Sequence, residues 1–68
     1  MITYEEWRVT GKPRLRTTEV KYSGEDYTDP EAVARIFIKN ATSVGPWTDG
    51  PHLHKRTVTV SEWTEVDT

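Results

Sequence analysis

Apolar and polar positions alternate along two stretches near the N-terminus. Residues 2–10 (ITYEEWRVT) are rich in β-branched and aromatic types and stop at Gly11-Lys12-Pro13. Residues 14–22 (RLRTTEVKY) repeat that character and stop at Ser23-Gly24. Two such runs about a short Gly/Pro turn predict a β-hairpin, with Pro13, which has no N–H to give to a ladder, in the turn. After Asp29 the period changes. Val33, Ile36, Phe37 and Ala41 recur at i, i+3, i+4 and i+8, with Ile38 at the edge of the stripe, which predicts a helix over residues 30–41. Asp29 before Pro30 is one helix start, and Thr28 with Glu31 is a capping box one residue earlier. Either register places acid at the positive end of the helix dipole.

Residues 42–54 (TSVGPWTDGPHLH) hold two Gly-Pro pairs and no sustained period, and read as a long loop. Residues 55–66 (KRTVTVSEWTEV) form a last β-type run. The order is β-β-α-β. A right-handed crossover through the helix makes strands two and three parallel, with strand one between them and antiparallel to both. The expected fold is therefore α+β: a mainly antiparallel three-stranded sheet of order 2-1-3 with the helix on one face.

Side-chain parity divides the apolar residues. Ile2, Tyr4, Val20 and Tyr22 share one parity, and Val58 and Val60 can join them. Trp7, Val9 and Leu15 take the other, as does Trp63 relative to Val58 and Val60. Strand side chains have period two, so two arrangements fit. Bulges near Glu5-Glu6 and Ser61-Glu62 restore a single core, or Trp7, Val9, Leu15 and Trp63 form a second apolar patch on the face away from the helix, where a protein partner or a second copy sits. Trp47, between two rigid turns, is either an exposed anchor for that partner or a lid over the core.

Length and composition narrow the function. Sixty-eight residues make one domain with a marginal core. The absence of cysteine excludes disulfides and thiolate zinc sites, so stability rests on the seven aromatic residues and on self-association. A net charge of −2 gives no global attraction to nucleic acid or anionic membrane. No apolar run is long enough to span a bilayer and the acidic N-terminus lacks a signal core, so the chain is expected to stay in the cytoplasm where it is made.

Candidate chemistry is sparse. His52 and His54 form an H-x-H pair with Asp49 upstream, too few ligands for a structural zinc site, and solvated loop histidines are the simpler reading. Lys12, Arg14 and Arg16 cluster at the hairpin tip with Arg8 across from them. They make a candidate nucleic-acid contact, or a charged end that protects the sheet edge. No nucleophile stands near a base, the four glycines match no phosphate-binding loop, and no enzymatic activity, metal or cofactor is expected.

The runs Trp7-Arg8-Val9-Thr10-Gly11, Asp29-Pro30-Glu31-Ala32, Trp47-Thr48-Asp49-Gly50-Pro51-His52-Leu53 and Arg56-Thr57-Val58-Thr59 resemble small uncharacterised proteins of actinobacterial phages. That resemblance implies a setting, the host bacterial cytoplasm, and a role in binding a host or phage protein. It carries no catalytic residue. A phage structural or assembly component is a third possibility beside protein and nucleic-acid binding.

Overall fold

The structure, a computed structural model, describes residues 1–67. Its elements are β1 (Ile2–Lys12), β2 (Thr18–Ser23), α1 (Pro30–Val44) and β3 (Asp49–Val60). The sheet order is β2-β1-β3, with β1 antiparallel to both neighbours, as the crossover argument predicts. No helix among the described residues is long and apolar enough to cross a membrane.

The β1–β2 register pairs Trp7 with Tyr22 and Val9 with Val20, and the β1–β3 register pairs Val9 with Leu53. Directly paired residues share a face, so these five side chains point together. Helix α1 covers them: Trp7, Val9 and Ala34 are the buried core, and Val20, Tyr22, Phe37, Ile38, Trp47 and Leu53 pack around it. Trp7 and Val9 therefore lie beneath the helix and not on the opposite face, and Val20 and Tyr22 belong with them rather than with Ile2 and Tyr4. The cause is the hairpin turn. β2 starts at Thr18 rather than at residue 14, and turn length sets the register that decides which parities meet.

The helical stripe is also rotated. Ala34 is completely buried and Ile38 packs on the core, whereas Ile36 is exposed. A methyl group at Ala34 lets the helix backbone lie close over the sheet, and the larger residues at i+3 and i+4 flank that contact. Asp29 is the cap: its Oδ1 accepts from the Ala32 N–H at 3.1 Å. Glu31 does not reach back to Thr28 but accepts from Arg35 Nε at 2.9 Å.

The expected loop over 42–54 is shorter. The helix runs on to Val44 and β3 already begins at Asp49. Proline is tolerated there because β3 is an edge strand, and the Pro51 nitrogen need not serve a ladder. At its other end β3 stops at Val60 rather than reaching residue 66, and residues 61–67 have no regular structure.

Beyond β2 the sheet continues as a two-stranded arm. Ile2–Glu5 pair only with β3, against Thr57–Val60, and the Gly24 N–H caps the inner end by donating to the Glu5 carbonyl at 2.8 Å. The molecule is elongated, with extents of 55 × 22 × 16 Å.

Candidate functional site

The face of the sheet turned away from the helix is uncovered, and cross-strand pairing arranges it in rows. Ile2 faces Val60 and Tyr4 faces Val58 on the arm. The next rows are Ser23–Glu6–Arg56, Lys21–Arg8–His54 and Glu19–Thr10–His52, each crossing all three strands. The open face is thus apolar at the arm and charged across the body.

The apolar end arises because the arm alternates cleanly. Thr3, Glu5, Thr57 and Thr59 take one side, and Ile2, Tyr4, Val58 and Val60 the other. No bulge interrupts this phase: the register runs without a break from Ile2–Val60 to Thr10–His52, and shifts only between Thr10 and Lys12. A second apolar patch is therefore present, but of different membership from the one expected. Ile2 is 60% exposed and Val60 41% exposed, while Tyr4 and Val58 are half-buried. Desolvation, and then the Glu25 carboxylate, hold the Tyr4 phenol above its usual pKa.

The candidate residues disperse. Trp7 is buried, with Nε1 donating to Glu5 Oε2 at 3.2 Å and Lys55 Nζ 5.6 Å from its ring centroid. Val9 is wholly buried, so neither is open to a partner. Leu15 and Trp63 are both fully in solvent but lie off opposite ends of β1, so they cannot share one patch. Trp63 follows the end of β3 and is outside the sheet, so its parity carries no information about a face. Trp47 is the lid: it is half-buried against the core, its ring lies over Gly11, and its Nε1 donates to Thr42 Oγ1 at 3.0 Å.

Arg8 is separated from the hairpin tip. It stands between Lys21 and His54 on the open face, four residues and about 13 Å of strand from Lys12. Arg14 and Arg16 are exposed at the tip, where the Lys12 carbonyl accepts from the Thr48 N–H at 2.7 Å and the Arg14 carbonyl from Thr48 Oγ1. His52 and His54 are in β3, not in a loop, and do share a face. His52 Nε2 lies 3.3 Å from Asp49 Oδ1, but no group of three or more His, Cys, Asp or Glu side chains capable of holding a metal occurs among the described residues.

The cross-strand row Lys21–Arg8–His54 was not legible from the sequence. Its members are 13 to 46 residues from Arg8 in the chain, and only the registers bring them side by side. A shallow cavity of about 390 Å³ lies over this row, lined by Glu6, Arg8, Lys21, His54, Lys55 and Arg56. Comparison with family models, curated proteins and solved structures finds no match.

Proposed function

We propose that the chain is a non-enzymatic binding protein whose open sheet face docks on a protein, of the host or phage in keeping with the sequence resemblance, or on a second copy of itself. The supporting observation is the apolar strip Ile2, Tyr4, Val58 and Val60, which lies on the face of the arm away from the helix, with Tyr4 flanked by Gly24 and Ile2 and Val60 exposed. Area gives the scale. The chain exposes 5486 Å², whereas a compact monomer of its mass exposes roughly 4,400 Å². The excess, about 1,000 Å², comes from the arm and the exposed residues 61–67 together, so the strip supplies part of the roughly 800 Å² that one partner contributes to a standard interface. An antiparallel arm with one apolar side gains more from a cover than from water.

The test is the double variant Ile2→Ser/Val60→Ser. Both residues lie outside the helix-side core, so the helical circular dichroism should persist. The wild-type chain should self-associate by light scattering, or capture a discrete protein from host lysate that the variant fails to retain. A wild-type chain that stays monomeric at high concentration and captures the same proteins as the variant rules this function out.

A further inference from the structure

We propose that the row Lys21–Arg8–His54, with Arg56 beside it, is a binding site for a small phosphate-class dianion, a phosphate monoester or inorganic phosphate. The site lies on the body of the sheet and does not depend on the apolar arm. Directly opposed residues on one face of an antiparallel pair have Cβ atoms about 5 Å apart, and like charges placed there are destabilising. Arg8 faces Lys21 on one side and His54 on the other, so the middle strand carries a cation with basic neighbours on both flanks. Arg8 Nε is buried and has no hydrogen-bond partner, an arrangement that costs free energy in proportion to the desolvation of that N–H. An anion seated on the row offsets the like-charge crowding directly, and it satisfies the enclosed Arg8 Nε–H once the Arg8 side chain turns toward it.

The carboxylates nearby leave that role open. Glu6 is engaged by Arg56, with Nε at 2.7 Å and Nη2 at 2.6 Å from Oε1. Glu19 serves two cations at long range, Arg8 Nη1 at 3.8 Å and Lys21 Nζ at 3.7 Å, beyond ordinary hydrogen-bond length. Lys55 Nζ is 3.9 Å from Glu5. His54 forms no ion pair among the described residues. The guanidinium fork of Arg8, the Lys21 ammonium and an imidazole N–H present donors from adjacent strands, which suits the several oxygens of a phosphate.

The same rows limit ligand size. Three strands span about 10 Å, and the flanking rows carry the Glu6–Arg56 pair on one side and Glu19 with His52 on the other. A compact dianion fits between these acids, whereas a phosphodiester strand continuing past the row meets carboxylates in both directions. That favours a phosphate monoester over a nucleic-acid backbone.

The experiment is a titration followed by Arg Nε–H and backbone amide resonances and by thermal melting. Its ligands are inorganic phosphate, O-phosphoserine and a single-stranded oligonucleotide, with sodium chloride at matched ionic strength as the reference. Inorganic phosphate and O-phosphoserine should shift the Arg8, Lys21 and His54 signals saturably and raise the melting temperature by mass action, while chloride and the oligonucleotide do neither. Arg8→Met and, separately, the edge-strand variant Lys21→Gln should each weaken the phosphate response roughly tenfold or more. Without phosphate, Lys21→Gln should melt no lower than wild type, because it removes like-charge crowding; a purely structural Lys21 predicts a loss instead. A response matched by chloride, one retained in both variants, or tighter binding of the oligonucleotide than of O-phosphoserine overturns the proposal. Free phosphate and a phosphorylated side chain are distinguished by whether O-phosphoserine binds more tightly than inorganic phosphate.

Discussion

Gly11 illustrates how one residue fixes several elements. It has φ +144°, and a Cβ built on it meets the Asp49 carbonyl oxygen at 2.6 Å and the Trp47 ring at 3.0 Å. Both neighbours are held from elsewhere, Trp47 through Thr42 and the start of β3 through the Thr48 N–H on Lys12. Gly11→Ala should therefore destabilise by roughly 1–3 kcal/mol, measured by urea denaturation, and loss of Trp47 burial should red-shift its fluorescence. A neutral Gly11→Ala shows that the Trp47 lid is not rigidly seated. Tyr22 carries a second residue-scale consequence. Burial, and then the neighbouring Tyr27, push its phenol above the usual pKa, while the Tyr27 ring packs edge-on at 5.6 Å and Phe37 at 6.5 Å. The folded chain holds that proton more tightly than the unfolded chain. Its contribution to stability is complete below pH about 10 and is lost as pH rises through the folded pKa. Tyrosinate absorbance should appear at higher pH in the folded protein than in urea, and Tyr22→Phe should reduce the difference; coincident titrations show the phenol to be solvated. Glycine at residue 11 is readable in the sequence as a turn signal, but the tryptophan lying over it is not, because that contact spans 36 positions of chain.

At the scale of elements, capping and edge position decide most outcomes. Asp29 accepts one of the free N–H groups of α1, so Asp29→Ala should cost about 1 kcal/mol while Thr28→Ala costs clearly less. Equal losses in thermal melts indicate that the first turn is held by packing of Pro30, which is buried, more than by the cap. The helix start and the element order follow from local chemistry, Asp-Pro and hydrophobic period, and were readable for that reason. The face assignments were not. Parity within β1 correctly separates Ile2 and Tyr4 from Trp7 and Val9, but joining it to β2 requires the hairpin register, which depends on a turn whose length the run Arg14–Thr17 does not reveal. β3 departs from its sequence pattern at both ends for a related reason. Gly50-Pro51 carries turn chemistry yet lies on an edge strand, and the alternation through Trp63 looks like a strand but has no partner beyond Ile2 to pair with.

For the molecule as a whole, the radius of gyration of 15.8 Å exceeds the roughly 11 Å expected of a compact chain of this length. The difference lies in the arm and in residues 61–67, which extend past the three-stranded body. Stability should be correspondingly uneven. In hydrogen exchange, the amides of Trp7 and Val9, flanked by both neighbours and covered by α1, should be the most protected, and those of Thr3 and Thr59 should exchange through local fraying. Uniform protection along β1 indicates that the arm is covered, as in a dimer. The candidate surface was thus legible as residue types and not as a place, since both its apolar strip and its basic row join the beginning of the chain to its end. The pairing of Ile2 with Val60 also governs how the protein is made. Synthesis runs from the N-terminus at about 5–20 residues per second, so β1, β2 and α1 emerge from the ribosome ahead of β3 by about a second or more. Throughout that interval one side of the central strand has unpaired backbone groups and Val9 lacks Leu53. Nascent chains are consequently most prone to capture by chaperones, or by one another, just before β3 emerges, and a chain held with β3 still inside the ribosome presents a β1–β2 hairpin with an open slot in place of a finished edge.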